Sequence, residues 1–171
     1  MDAKYIQNEA RRLVRLCGTR DPFQIAKELG IHVIFDYSFK ALKGMYKVIQ
    51  RSRFIIINGN LSDRDKRMVC AHELGHDRFH RRLVKTSALQ EFMLYDMRSR
   101  PEYEANTFAS ELLIGDSDIF SLIEKEYDIY HMSSELGEDM NLILIKIDEL
   151  RKQGYDLRVP YRPQSDFLGR K

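Results

Sequence analysis

The chain has 171 residues, 43% of them hydrophobic and 32% charged, with a formal net charge of +2. That length favours one domain with a real core, and the composition is ordinary for a soluble protein. The charge is too small to argue for nucleic acid, no apolar run approaches a bilayer span, and the start "MDAKYIQNEARRLVRLCG" lacks the apolar centre of a signal peptide.

Residues 3–16 carry apolar side chains at helical spacing: Ala3, Ile6, Ala10, Leu13 and Val14. The only two cysteines, Cys17 and Cys70, offer no disulfide framework, which fits a cytoplasmic location where thiols stay reduced. "GTRDP" breaks the first helix. Asp21 caps a second, with Pro22 at its first position and Gly30 at its end. Three strands are expected next: "IHVIF", "GMYKVIQ" and "RFIIIN", the last two joined by the turn "RS". "RFIIIN" leads by a short connection into the following helix, so it is expected to lie beside whatever that helix carries and to present a free sheet edge that an extended chain can join. The continuous run Phe54-Ile55-Ile56-Ile57 argues for a central strand instead, in which case "GMYKVIQ" is the edge. Ser62 is the N-cap of a helix reaching about residue 80, with Asp65 completing an imperfect capping box.

That helix contains "CAHELGHDRFH", residues 70–80. His72-Glu73-Leu74-Gly75-His76 reads H-E-x-x-H. Residues four apart share a helix face, so His72 and His76 can hold one zinc ion, while Glu73 lies beside that face and can take a proton from water. Met68, Val69, Cys70, Ala71 and Leu74 supply the buried side of such a helix. Gly75 costs about 1 kcal/mol relative to alanine, a cost that close approach by another element would explain. His80 lies about 12 Å beyond His72 along a straight helix, too far to be a third ligand, and is expected at the helix end or behind the ligands.

"RRLVKTSALQEFMLYDMRSR" is compatible with a helix, a mobile loop, or both. Pro101 opens the helix "PEYEANTFASELLIG", ended by Gly115. Catalytic zinc keeps three protein ligands and one open position, so a further ligand is needed. At 100° per residue Glu102 lies roughly 50° from the apolar direction of this helix and Glu104 roughly 110° away. Glu102 is therefore the better candidate, and Glu111, two turns on, is expected in a surface pair. "DSDIFSLIEKEY", "MSSELG" and "MNLILIKIDELRKQG" read as helices, and the residues from Asp156 on as a loose tail. Residues 1–155 are expected to form a single α+β domain with a helical subregion over about 117–155. The last two helices and their glycine turn suggest helix-turn-helix, but Glu138, Asp139, Asp148 and Glu149 are poor charges for a phosphate-facing helix, so direct DNA binding is not expected.

"AHELGHDRFH", followed by "ExxANxFASELL", resembles the ImmA/IrrE family of metallopeptidase-like proteins. The strands running into the active helix look like the family's sheet, and the resemblance extends over about residues 20–115. Many members read "LLMP" where this chain has "LLIG", a departure that Gly115 accommodates by ending the helix. The resemblance implies a zincin-like α+β fold, His72, His76 and Glu102 as Zn2+ ligands, and Glu73 as catalytic base. It implies a zinc endopeptidase that cleaves or inactivates a helix-turn-helix repressor, often on a phage or mobile element. A non-catalytic protein that binds such a repressor is the alternative. Tyr103, His80 and His131 are equal candidates for stabilising an oxyanion.

Overall fold

A computed structural model describes residues 2–84, 89–91, 97 and 99–158. Helix α1, Ala3–Cys17, starts at Asp2, whose side chain accepts from the Lys4 N–H, and stops at Gly18 with φ 65°. Helix α2, Pro22–Glu28, starts at Asp21 as expected. Strands β1 (Ile31–Asp36), β2 (Gly44–Ile49) and β3 (Ser52–Asn58) follow. Helix α3, Asp63–Phe79, begins where the Ser62 side chain accepts from the Asp65 N–H. After α4, Arg81–Val84, and β4, Leu89–Glu91, come α5 (Arg100–Leu113), α6 (Asp116–Glu124), α7 (Ile129–Leu136) and α8 (Met140–Lys152). The fold is α+β, with a mixed sheet and a helical C-terminal part.

The strand order is β1-β3-β2-β4, which corrects the expected edge. Strand β3 runs parallel to β1, pairing Ile31 with Arg53, and antiparallel to β2, pairing Gly44 with Ile57. "RFIIIN" is therefore central, as its unbroken apolar run allows: Ile55 and Ile57 are fully buried. Strand β2 is not a free edge over Gly44–Tyr46, because those residues pair with β4. Among the described residues the edges are β1 and β4. Strand β4 falls in the stretch read as helix or loop, where no strand was expected. The β2–β3 turn is Gln50-Arg51, one residue earlier than "RS"; both residues have positive φ, 46° and 70°, as a two-residue turn of type I′ requires.

Helix α3 lies between β2 and β3 on one side and α5 on the other. Ten consecutive residues, Met68 to Asp77, are buried there. Close approach explains Gly75: a Cβ on it would stand 3.0 Å from the Ala105 Cα and 3.3 Å from the Ala105 carbonyl oxygen. Gly44 packs in the same way, since a Cβ there would collide with Val69. Asp77 ties the sheet to the helix. It accepts from the Tyr46 hydroxyl at 2.6 Å, from Arg53 at 3.0 Å and from Arg81 at 3.0 Å. Arg53 also donates to the Leu29 carbonyl, which joins α2 to the same anchor.

Three boundaries differ from expectation. Helix α5 ends at Leu113 with Ile114 as its C-cap, and Gly115 is the N-cap of α6, its N–H donating to Asp118 at 3.1 Å. Helix α7 starts at Ile129, capped by Asp128, three residues before "MSSELG". The tail is held at its start: Leu157 is buried and its carbonyl accepts from Arg151 at 2.7 Å. The rest of the tail, from residue 159, lies outside the described residues.

Candidate metal centre

His72 and His76 stand one turn apart on α3, buried, with their Nε2 atoms 3.0 Å apart. Helix α5 brings Glu102 to both. Its Oε2 lies 3.1 Å from His72 Nε2 and its Oε1 lies 3.5 Å from His76 Nε2. Ser99 starts that helix by accepting from the Glu102 N–H, so the first turn is anchored where the carboxylate leaves it. Glu73 is also buried, and Gly44 of β2 packs against it: a Cβ on Gly44 would be 3.3 Å from Glu73 Oε1.

The outer nitrogen of each histidine is engaged. His72 Nδ1 is 2.9 Å from Asn106 Oδ1, an acceptor, so this nitrogen carries the hydrogen and Nε2 keeps the lone pair. His76 Nδ1 is 2.9 Å from His80 Nδ1, and His80 Nε2 is 2.9 Å from Glu104 Oε2. His80 thus stands behind His76 at the end of α3, turned to Glu104.

These residues fit a divalent ion. A tetrahedral zinc with bonds of about 2.0–2.2 Å separates its ligand atoms by about 3.3–3.6 Å. The two facing nitrogens are 3.0 Å apart and stand 3.1 and 3.5 Å from the two oxygens of Glu102. Burial pushes the His76 pKa down to about 4, against the contrary pull of Glu102. Burial alone would raise the Glu102 pKa, but the two imidazoles that face it, His72 and His76, outweigh burial and hold the group below the usual carboxylate range. Neutral imidazoles and an ionised carboxylate are the forms that bind a cation.

The burial order within α5 corrects the helix-face argument. Glu104 is buried, whereas the Glu102 side chain is 22% exposed. The apolar face of α5 meets α1 and α8 as well as α3, so its mean direction does not point at the histidines alone. Glu111 is not in a surface pair; it is buried, 2.5 Å from Lys146 Nζ and 2.6 Å from Arg11 Nε. Of the groups considered for an oxyanion, the Tyr103 hydroxyl donates to Glu149 at 2.6 Å, His131 pairs with Asp128 on the exposed side of α7, and His80 turns to His76. Asn106 was missed in the sequence. Its signal is the spacing of four from Glu102, which puts both on one face of α5.

A helix carrying H-E-x-x-H against a small mixed sheet, with a glutamate brought in by a later helix, defines a zincin-like α+β protein with a possible His-His-Glu metal site. The chain belongs to the family described as Peptidase_M78, IrrE N-terminal-like domain, whose model matches residues 23–147. It is 37% identical over 147 residues to "Uncharacterized immunity region protein 2" of Bacillus phage phi105, covering 85% of this chain and 92% of that one. No described helix is long and apolar enough to cross a membrane.

Proposed function

We propose that this chain is a cytoplasmic zinc-dependent endopeptidase that cleaves a helix-turn-helix repressor encoded beside it on a phage or mobile element. The observation that carries this reading is the convergence of His72, His76 and Glu102 with Glu73 next to them on α3. The phage immunity-region relative supports the choice of a repressor as substrate.

His72 Nε2, His76 Nε2 and a Glu102 oxygen would hold the ion, leaving a fourth position open. A bound zinc ion supplies Lewis acidity, lowering the pKa of water and polarising a carbonyl oxygen. Glu73 accepts a proton from the attacking water at a carboxylate oxygen. As the C–O bond forms and the C–N bond breaks, Glu73 returns that proton to the leaving nitrogen. Asn106 holds the His72 ring, and the Asp77 contacts to Tyr46 and Arg53 hold α3 against the sheet.

The test is incubation with the adjacently encoded repressor, with and without a chelator, using the wild-type chain and Glu73→Gln. Cleavage that needs metal and Glu73, with zinc still bound by the variant, is expected. Loss of repression without cleavage, equal in both proteins, would identify a binding protein instead.

A further inference from the structure

Resting on the metal reading above, we propose that Glu104 and His80 are positioning residues: together they set which ring nitrogen of His76 carries its hydrogen, and so keep Nε2 free for the ion.

An ionised carboxylate only accepts hydrogen bonds. Glu104 Oε2 sits 2.9 Å from His80 Nε2, so that nitrogen must donate. In neutral His80 the other nitrogen, Nδ1, is then an acceptor. It lies 2.9 Å from His76 Nδ1, which must therefore donate to it. With its hydrogen on Nδ1, neutral His76 has its lone pair on Nε2, the atom facing His72 and Glu102. Without the ion, His72 Nε2 at 3.0 Å and Glu102 Oε1 at 3.5 Å compete for the His76 hydrogen from the other side, and the acceptor at 2.9 Å, His80 Nδ1, fixed by Glu104, holds it on Nδ1. His80 and Glu104 are both buried, which keeps water from supplying a competing donor. Arg100 Nε donates to the other oxygen of Glu104 at 3.0 Å and steadies the carboxylate. His72 reaches the same end by a shorter route through Asn106.

Glu104→Gln separates polarity from shape. Arg100 donates to the oxygen of the new amide, which leaves its NH2 at the position facing His80 Nε2, where it can only donate. Donation reverses the relay: His80 Nδ1 then carries hydrogen, His76 Nδ1 must accept, and the hydrogen of His76 moves to Nε2. His80→Gln is the companion variant, because one amide can accept from His76 and donate to Glu104. His80→Leu can do neither.

The first readout needs no metal. Long-range 1H–15N correlation spectra of the metal-free protein at pH 8 report the hydrogen on each ring nitrogen. Wild type should show His76 protonated on Nδ1, and Glu104→Gln should show substantial Nε2 protonation. The second readout is zinc affinity by competition with a chromophoric chelator. Glu104→Gln and His80→Leu should bind about 10–100-fold more weakly, the usual effect of losing a partner behind a ligand. His80→Gln should recover most of the loss. The proposal is overturned if Glu104→Gln folds and keeps His76 on Nδ1, whatever its affinity, or if His80→Gln binds as weakly as His80→Leu. Should the wild type bind no zinc, the proposed function fails, while the tautomer comparison still decides the relay.

Discussion

At the scale of single residues, the site depends on protonation state as much as on position. His76 titrates near 4 because burial penalises its charged form, whereas an imidazole in the unfolded chain titrates near about 6.5. The unfolded chain thus binds the extra proton first, so the metal-free protein keeps its full His76 contribution above pH 6.5 and loses it as pH falls through 4. A separation of roughly 2.5 units corresponds to about 3 kcal/mol. Glu102, whose pKa is also held down, adds to the loss at the acid end of that window. Urea unfolding of metal-free protein at pH 7 and at pH 5 should show this loss, and His76→Gln should flatten it. Equal slopes in the two proteins would show that His76 is not buried in its neutral form. The metal itself gives a separate prediction. His72→Ala, His76→Ala or Glu102→Ala should abolish stoichiometric zinc, whereas Glu104→Gln should weaken binding without removing the site. Full metal content in Glu102→Ala would exclude that glutamate as a ligand. The histidine pair and Glu73 were readable because their chemistry lies within five consecutive residues. His80 was readable as a residue at the helix end behind the ligands; Asn106 and the turn of His80 to Glu104 were not, since they depend on which faces of α3 and α5 meet.

At the scale of elements, the contact of α3 with α5 is the geometry on which the site rests. Gly75→Ala places a methyl group 3.0 Å from the Ala105 Cα, which is backbone and cannot turn aside. Helix propensity returns up to about 1 kcal/mol, but overpacking costs about 1–3 kcal/mol, so the net should be destabilising. Because Glu102 rides on α5, zinc affinity should fall with stability, and an unchanged affinity would show that the helices can separate without moving the carboxylate. The hairpin offers a change of opposite sign. Gln50 and Arg51 both hold positive φ, which favours Asn-Gly. Gln50→Asn with Arg51→Gly should stabilise by about 1 kcal/mol, seen as a melting temperature roughly 2–4 °C higher. A lower melting temperature would mean that the turn is not type I′ in solution. Element types were legible because caps and periodicity are local: Asp21 and Ser62 each stand where a helix begins. Strand order was not, since pairing joins residues far apart in sequence and side-chain alternation cannot say which neighbour sits on each side. The apolar run in β3 was the one local trace of its central place.

For the whole molecule, the question is what makes the C-terminal helices part of the same body as helices α3 and α5. Lys146 of α8 is fully buried, 2.5 Å from Glu111 of α5 and 2.5 Å from Asp116 of α6. Arg11 of α1 reaches the same two carboxylates at 2.6 and 2.9 Å. Arg20 donates to the carbonyls of Glu111 and Leu112 at the end of α5. Four helices therefore meet at one charge network on the helix that carries Glu102. Lys146 shares a helix face with Leu142 and Leu150, four residues to either side, and its ammonium group lies inside with them. Removing it exposes the asymmetry of buried pairs: Lys146→Met leaves Glu111 and Asp116 with Arg11 alone, and breaking such a pair typically costs about 3–5 kcal/mol. Replacing Glu111 together with Lys146 by apolar residues should cost much less, since no unpaired carboxylate then remains at that position and Arg11 keeps Asp116. A double-mutant cycle on chemical unfolding measures the difference, and the coupling should persist in high salt, because a buried pair is poorly screened. Additive losses from the two substitutions would show that α8 is held by its apolar face alone.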